Sequence, residues 1–262
     1  MTLLFLSSAL AQDFAGTDEA GQKFDTPETN LSAEVGGSWA TGNSMFYTVN
    51  GGVDAGHRWK RNKLSIDLAA NLGQSVVDAE GDGRLDEADR AVGYQETARR
   101  YSGDLRYDRY VGLKGSLYAL AGAFVDPFAG YDFRSHEQVG YSRILVENDT
   151  TDLVAELGVD YAQEFYVEGI DPATANIVAA RAMVGVSHQL NEAVSFTDEV
   201  EVYENVLDFA DLRVLNTASL TTALSDKLSL KLSHSLLYDN VPVEGFEALD
   251  QTTMVTLVAS LL

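Results

Sequence analysis

The chain has 262 residues, of which 40 are Asp or Glu and 18 are Lys or Arg, giving a formal charge of −22. This acidity argues against nucleic acid as a partner, because phosphate recognition needs clustered Lys and Arg. The absence of cysteine excludes a disulfide framework and a thiolate metal site. No run of about 20 consecutive apolar residues occurs, which excludes a membrane-spanning helix.

An apolar run opens the chain from Met1 to Ala11, and Ala9-Leu10-Ala11 has the small-x-small pattern of a signal-peptide cleavage site. It predicts a secretory signal peptide over residues 1–11. The run is short and has no Lys or Arg near its start, which is consistent with a truncated signal peptide. The alternative is a frayed hydrophobic N-terminus. Residues 12–30 are polar and predict a flexible segment ahead of a folded domain over 31–262.

From Leu31 onward the hydrophobic pattern has a period of two, which is typical of strands rather than helices. Between Leu64 and Leu72, for example, every second residue is Leu, Ile or Ala, and most of the intervening residues are polar. The pattern predicts twelve strands, at about 31–40, 45–58, 63–77, 94–110, 115–125, 132–146, 152–166, 176–189, 193–205, 212–224, 227–239 and 251–262.

The links between these strands alternate in length. Links at 59–62, 111–114, 147–151, 190–192 and 225–226 are short, whereas those at 78–93, 126–131, 167–175, 206–211 and 240–250 are mostly longer and acidic. Only the link at 41–44 departs from the alternation. Short periplasmic turns and longer extracellular loops are the signature of a barrel in the Gram-negative outer membrane. The sequence therefore predicts an antiparallel transmembrane β-barrel of twelve strands, with both termini on the periplasmic side.

A soluble β-sandwich or lipocalin-like barrel would also show alternation, because any sheet with one apolar face does. Two features argue against these folds. The faces predicted to point inward carry charge, for example at Asp67 and Arg106, rather than a large apolar core. Outward faces end in aromatic residues such as Trp39 and Tyr107, as interfacial girdles do.

Three stretches of the chain have a recognisable pattern: the turn Thr41-Gly42-Asn43-Ser44 after a glycine-rich strand, the segment Leu105–Tyr110, and Gln138-Val139-Gly140-Tyr141. Together with the strand spacing, they resemble the YdiY family of salt-induced outer-membrane proteins, a domain of unknown function. The resemblance runs from about residue 31 to the C-terminus. It implies the barrel fold and an outer-membrane location, and it brings no substrate or catalytic residue.

The link between the third and fourth strands resembles a twelve-residue calcium loop. Gly83 would make the sharp turn at position six, and Asp89 closes the loop at position twelve. The candidate ligands, which include one backbone carbonyl at Arg84, are Asp78, Glu80, Asp82, Arg84, Asp86 and Asp89. Glu at position three and Asp at position twelve depart from the usual residues. The alternative is a solvated acidic loop, so Ca²⁺ is a possible ligand rather than an established one.

Charged side chains on the inward faces predict a network of ion pairs inside the barrel. Its candidate members are Asp67, Arg100, Asp104, Arg106, Asp108, Glu156, Asp160, Arg181, Glu199, Glu201, Arg213 and Lys231. Such a network could fill the lumen or line a narrow pore. An excess of inward acids would favour cations if a pore exists.

We do not expect an enzyme, because the chain has no G-x-S-x-G, HExxH or phosphate-binding glycine motif. His136 lies between Ser135 and Glu137, but adjacent residues in a strand point to opposite faces. Two functions remain open: a structural or salt-stress protein of the envelope that passes small solutes, and a cation-selective porin. A barrel enzyme is a distant third. The expected partners are membrane lipid, lipopolysaccharide and the barrel insertion machinery.

Overall fold

A computed structural model describes residues 24–42, 44–78 and 85–262 of the protein. The predicted signal peptide over 1–11 lies outside these ranges. Within them the strands are β1 (Phe24–Ala40), β2 (Phe46–Lys60), β3 (Asn62–Ser75), β4 (Gln95–Tyr110), β5 (Gly115–Asp126), β6 (Tyr131–Glu147), β7 (Thr151–Tyr166), β8 (Thr174–Asn191), β9 (Val194–Asn205), β10 (Leu212–Ser225), β11 (Leu228–Asp239) and β12 (Leu249–Ser260). Helix α1 (Glu87–Val92) lies between β3 and β4, and a 3-10 turn (Pro127–Ala129) lies between β5 and β6. No helix in the described ranges is long and apolar enough to cross a bilayer.

The twelve strands form one closed barrel, in which each strand pairs antiparallel with its neighbours in the chain. The barrel closes between the first and last strands, where Ser32 to Gly36 of β1 pair with Ser260 to Thr256 of β12. Closure satisfies the backbone amides without leaving an open sheet edge, which is the requirement for strands that cross a bilayer. The predicted fold, an antiparallel barrel of twelve strands, is confirmed.

The barrel is apolar outside and charged inside, the reverse of a water-soluble protein. Leu157 and Val139 on the outer face are 69% and 61% exposed, whereas Asp108 and Glu156 on the inner face are 0% and 1% exposed. Of the outward set found from the period of two, Ile66, Leu68 and Tyr107 are exposed as predicted, and Leu64 and Ala70 are partly exposed. This pattern argues against the soluble sandwich and the lipocalin-like barrel.

The two ends of the barrel differ, as the alternating links predicted. One end, here called the turn end, carries the short links, of which the tightest is the single residue Arg61 between β2 and β3. The other end, here called the loop end, carries the longer links, including 76–94, 167–173 and 240–248. β1 begins and β12 finishes at the turn end.

β1 begins at Phe24, so residues 24–30 are strand where the sequence predicted part of a flexible segment over 12–30. These residues pair with β2, with Asn30 opposite Gly56 and Thr29 opposite His57. The Thr29 hydroxyl and His57 Nδ1 lie 2.8 Å apart. Backbone pairing with one neighbour does not require apolar side chains, so the polarity of this stretch concealed the strand.

The link between β11 and β12 crosses the mouth of the barrel at the loop end. Val243 and Phe246 of this link contact Gly130, which follows the 3-10 turn on the opposite side of the barrel. A Cβ atom placed on Gly130 would lie 2.9 Å from Phe246 Cε2 and 3.0 Å from Val243 Cγ1, and Gly130 has a φ of 91°. Position 130 therefore requires glycine for two reasons: its backbone has a positive φ, and the crossing link leaves no space for a side chain.

Candidate functional site

The candidate functional site is the lumen, where alternate residues of the strands meet. At its centre, Glu156 of β7 accepts from Arg106 of β4, with Arg106 Nη2 2.7 Å from Glu156 Oε1, and from Arg181 of β8, with Arg181 Nη1 2.8 Å from Glu156 Oε2. Arg106 Nε also bonds Asp108 Oδ2 at 2.8 Å, and Arg181 Nη2 bonds Glu201 Oε2 at 2.7 Å. We call these five residues the central network. It ties β4, β7, β8 and β9 together across the lumen.

Tyr118 of β5 supports the central network from the wall. The Arg106 guanidinium lies over its ring, 4.2 Å from the centroid, and Arg181 Nη1 donates to its hydroxyl at 2.9 Å. The ring covers Gly140 and Gly158 of the next two strands, whose absent side chains leave the space it occupies. A planar ring, two guanidinium groups and a shared carboxylate therefore form one packed unit on this side of the lumen.

A second set of ion pairs lies nearer the loop end. Glu164 of β7 accepts from Arg213 Nη1 at 2.5 Å and forms an ion pair with Arg134, whose Nε atom is 3.1 Å from Glu164 Oε1. Arg213 Nε also pairs with Asp239 Oδ2 at 3.1 Å. Arg100 Nη1 and Asp126 Oδ2 form a separate pair at 3.1 Å. These pairs, which we call the loop-side network, leave each arginine with at least one carboxylate partner.

A third pair lies beside the seam between β1 and β12. Lys231 Nζ of β11 is 2.5 Å from Glu34 Oε2 of β1, and the Thr256 hydroxyl of β12 is 3.5 Å from the same oxygen. Both charged side chains are buried. Because β12 lies between β11 and β1, the pair spans the last strand.

The lumen holds a cavity near each end of the barrel. The turn-side cavity has a volume of about 480 Å³ and the loop-side cavity about 140 Å³. Residues that line both cavities mark the place where they adjoin; they are Ser102, Asp104, His136, Glu199, Glu201 and Tyr203. Three of these are carboxylates, and Asp160 lines the loop-side cavity beside them. We call Asp104, Asp160, Glu199 and Glu201 the acidic girdle.

His136 of β6 reaches the acidic girdle because glycine stands between it and β4. Its Nε2 atom is 3.0 Å from Asp104 Oδ1, and its Nδ1 atom is 3.7 Å from Asp160 Oδ1. Gly122 of β5 lies in register between His136 and Asp104 and has no side chain to separate them. Gln138, two residues further along β6, donates from Nε2 to the Tyr203 hydroxyl at 3.2 Å.

A family described as "Protein of unknown function, DUF481" matches residues 33–261, nearly the whole of the barrel. The chain belongs to the DUF481 family. No curated protein matches it. The match agrees with the uncharacterised barrel domain inferred from the sequence.

The DUF481 barrel is similar in fold to solved outer-membrane proteins. The NanC porin shares 12% identity with it at a TM-score of 0.54, over 89% of this chain and all of the porin chain (100%). The translocator domain of the autotransporter NalP from Neisseria meningitidis shares 14% identity at a TM-score of 0.43, over 93% of this chain and 90% of that domain. An anion-selective porin from Comamonas acidovorans shares 9% identity at a TM-score of 0.39, over 90% of this chain and 100% of that porin.

The DUF481 barrel places the predicted lumen residues on its inner face. Those that line the turn-side cavity are Asp67, Asp104, Arg106, Glu156, Arg181, Glu199, Glu201 and Lys231, and those that line the loop-side cavity are Arg100, Asp104, Asp160, Glu199, Glu201 and Arg213. Asp108 is buried in the central network. Several of their partners were absent from the predicted set, namely Glu34, Asp126, Arg134, His136, Glu164 and Asp239. Continuing the period of two along β6 and β7 would have found Arg134, His136 and Glu164.

The candidate calcium ligands are only partly described. Glu80, Asp82 and Arg84 lie outside the described residues. Asp86 and Asp89 form a capping box at the start of α1: Asp86 Oδ1 accepts from Ala88 N at 2.7 Å, and Asp89 Oδ2 accepts from Asp86 N at 3.1 Å. Asp78 is described and has interactions of its own. In the described part of the chain no three His, Asp or Glu side chains are grouped to hold a metal ion. Calcium binding stays a prediction.

Proposed function

We propose that this DUF481 protein lies in the bacterial outer membrane and passes small solutes, with a preference for cations. The acidic girdle, where the two lumen cavities adjoin, carries the proposal. The exposed apolar outer face supports a membrane location, because such a surface in water would cause aggregation. Membrane lipid, lipopolysaccharide and the barrel insertion machinery are then the partners we propose.

The size of the lumen supports a limit on the solutes. A barrel of twelve strands lies between small barrels filled by side chains and porins with open aqueous channels. The central network occupies the side of the lumen formed by β4 to β9, so any passage is narrow and off-centre. Cavities of about 480 and 140 Å³ suit ions and solutes of a few heavy atoms.

The charge along the lumen supports the preference for cations. Asp54, Asp67 and Asp104 lie directly opposite one another on β2, β3 and β4, and all three line the turn-side cavity. Glu199 and Glu201 of β9 line the same cavity and also the place where the two cavities adjoin. Rings of carboxylates favour cations over anions in channels.

Planar-bilayer recording of the refolded protein tests this function. In a potassium chloride gradient we expect discrete single-channel steps. We also expect a reversal potential that lies nearer the equilibrium potential of K⁺ than that of Cl⁻. Asp67→Asn, which removes one acid from the row formed by Asp54, Asp67 and Asp104, should move the reversal potential toward zero. The exposed control Asp226→Asn in the β10–β11 turn should leave it unchanged. A bilayer without steps, or an anion-selective current, would contradict the proposal.

The crossing link at the loop end favours a second function, a non-conducting structural protein of the envelope. Val243 and Phe246 cover the mouth there, and the ion pairs bind the wall of the barrel into a rigid unit. A silent bilayer for both the wild type and a variant with a shortened β11–β12 link would favour this function.

Either function is non-enzymatic in our proposal. The ring nitrogens of His136 are directed to carboxylates, with Nε2 3.0 Å from Asp104 Oδ1 and Nδ1 3.7 Å from Asp160 Oδ1. The resemblance to the YdiY family supports the further proposal that salt induces production of the protein. Transcript levels in low-salt and high-salt medium test that proposal, and equal levels would contradict it.

A further inference from the structure

The outer face of β9 to β12 carries a group of polar side chains. Asp198 of β9 and His234 of β11 lie directly opposite Ala218 of β10, one on each side of it. Thr253 of β12 lies opposite His234. Asn216 is two residues from Ala218 along β10 and therefore lies on the same face. We call these five residues the outer polar patch.

The alternation of side chains places the outer polar patch on the outside of the barrel. Thr197, Thr217 and Ser233 each adjoin a member of the patch in their strand, and all three are buried on the inner side. Adjacent residues of a strand point to opposite faces, so the members of the patch point outward. In the proposed membrane location they face lipid or another protein.

The patch lies within the apolar band of the outer face. Leu232 precedes His234 on that face of β11, and Val200 follows Asp198 on that face of β9; they are 46% and 37% exposed. Polar and ionisable side chains are costly at such a position when only acyl chains surround them. The patch is therefore poorly suited to contact with lipid alone.

The opposite wall of the barrel has a different surface. β4 lies six strands from β10 in either direction around the barrel. On this wall the outward residues of Leu64–Leu72 on β3, of Tyr101–Tyr107 on β4 and of Leu117–Ala123 on β5 are Leu, Ile, Ala, Gly and Tyr. Since both walls belong to one barrel, the contrast indicates that they have different surroundings.

Hydrogen bonds within the chain leave part of the patch available. Asn216 Nδ2 lies 2.6 Å from Asp198 Oδ1, and His234 Nδ1 lies 2.9 Å from the Thr253 hydroxyl oxygen. Among the described residues, Asn216 is the only side chain that donates to the Asp198 carboxylate, and His234 Nε2 has no hydrogen bond. A carboxylate accepts several hydrogen bonds, and an imidazole has a second ring nitrogen. The patch therefore has an acceptor and a donor still to be used.

A second copy of the chain would supply both partners at once. Because Asp198 and His234 lie on either side of Ala218, a two-fold axis along the membrane normal that faces Ala218 brings Asp198 of each copy toward His234 of the other. Two-fold contacts of this self-complementary kind are the commonest in soluble oligomers. The methyl group of Ala218 at the centre lets the two walls approach closely.

We propose that the outer polar patch is the contact surface for a second copy of this chain, which lies beside the first in the same orientation. His234 Nε2 of each copy donates to the Asp198 carboxylate of the other. Asn216 and Thr253 orient these two side chains from within their own chain. The inference rests on the proposed outer-membrane location, and it is independent of conduction.

Cysteine cross-linking tests the contact, since the chain has no cysteine of its own. Ala218→Cys places one thiol at the proposed axis, and the control Ala119→Cys places one on the exposed outer face of β5. The full-length chain is reconstituted in phosphatidylcholine vesicles at a low ratio of protein to lipid and oxidised with copper phenanthroline.

We expect a disulfide-linked dimer for Ala218→Cys and about tenfold less for Ala119→Cys, because a disulfide requires Cβ atoms about 4 Å apart. Equal amounts of dimer from the two variants, or none from Ala218→Cys, would overturn the inference.

Further substitutions in the Ala218→Cys protein test the two polar partners. Asp198→Leu and His234→Leu should each lower the yield of dimer about tenfold, because each removes one partner of a charge-assisted hydrogen bond. Leucine suits a lipid-facing position, so both variants should keep the heat-dependent gel shift of a folded barrel. An undiminished yield in either folded variant would overturn the assignment.

Glu137→Leu is the matched control for these substitutions. It removes an outward carboxylate from β6, where the cross-strand neighbours are Ala121 and Tyr161. The yield of dimer should equal that of the Ala218→Cys protein. An equal loss of dimer in all three leucine variants would overturn the assignment of the contact to the patch.

The outcome separates this inference from the proposed function. A conducting protein that gives no dimer from Ala218→Cys would overturn the contact and leave the passage intact. A dimer that is silent in the bilayer would support the contact and contradict the passage.

Discussion

Lys231 of β11 and Glu34 of β1 form an ion pair that spans β12, with Nζ 2.5 Å from Oε2 and side chains that are 2% and 1% exposed. Removing one partner would leave a buried charge alone, which costs about 3 kcal/mol or more. We therefore expect Lys231→Met to lower the free energy of unfolding by about 3 kcal/mol. Urea unfolding of the refolded barrel, followed by tryptophan fluorescence, measures it.

The control for this prediction is Lys227→Met, which removes the same charge at an exposed position in the β10–β11 turn. It should change the stability little, because exposed charges contribute about 0–1 kcal/mol. The double variant Lys231→Met with Glu34→Gln should recover part of the loss. Equal effects of Lys231→Met and Lys227→Met would show that the pair does not stabilise the barrel.

Glu156 is the carboxylate that Arg106 and Arg181 share. Glu156→Gln would leave the two guanidinium groups near each other with one acid fewer, so we expect a loss of about 3 kcal/mol in stability. The same urea titration measures this loss. Glu168→Gln, in the exposed β7–β8 loop, is the matched control and should behave as the wild type. A stable Glu156→Gln protein would contradict the central role assigned to this side chain.

The absence of a side chain at Gly140 leaves room for the Tyr118 ring against the barrel wall. A Cβ atom added to Gly140 would lie 2.5 Å from the Tyr118 hydroxyl oxygen and 2.5 Å from the Leu157 carbonyl oxygen. Gly140→Ala should therefore destabilise the barrel by about 1–3 kcal/mol through overpacking. Gly51→Ala on β2 is the control, since the nearest atom there is 3.3 Å away. Heat-dependent gel shifts compare the two, and equal midpoints would refute the packing argument.

We expect the crossing link at the loop end to restrict the flow of ions through the lumen. Replacing Val243 and Phe246 with serine removes the apolar contacts to Gly130, so we expect the single-channel conductance to rise about twofold. Leu207→Ser, in the exposed β9–β10 loop, is a control that removes apolar surface without touching Gly130. An unchanged conductance in the double variant would show that the link does not limit the passage.

The predicted calcium loop is tested by calorimetry with calcium chloride. Wild-type protein should bind calcium and Asp82→Ala should not, because Asp82 precedes the turn glycine at a ligand position. Asp149→Ala, in an exposed turn, is the charge control. Identical titrations for the wild type and Asp82→Ala would eliminate the site.

Most of the fold could be predicted from the sequence because side-chain direction alternates strictly along a strand. Alternation such as that at Leu64–Leu72 was enough to predict the number of strands and which side chains point inward. The unequal lengths of the links were enough to predict that the two ends of the barrel differ. Helix α1 could also have been predicted, since Asp86 and Asp89 have the spacing of a capping box. The sequence interpretation assigned those carboxylates to calcium instead.

The partners within the lumen could not be predicted. Which charges meet depends on the tilt and stagger of the strands, and these are properties of the closed barrel rather than of any segment. Arg213 thus pairs with Glu164, three strands away, and His136 reaches Asp104 only because Gly122 lies between them. The acidic girdle depends on the same stagger, so it became visible only in the assembled barrel.

The barrel's closing seam has a mechanical consequence. In the described residues β1 pairs with β12 only from Ser32 to Gly36, whereas β1 pairs with β2 as far as Ala40. Backbone pairing is therefore sparsest where the chain meets itself. The ion pair between Lys231 and Glu34 crosses this seam, because it joins β11 and β1, the strands on either side of β12. We expect lateral opening of the barrel to begin between β1 and β12, and the strength of this ion pair to control how easily the two strands separate.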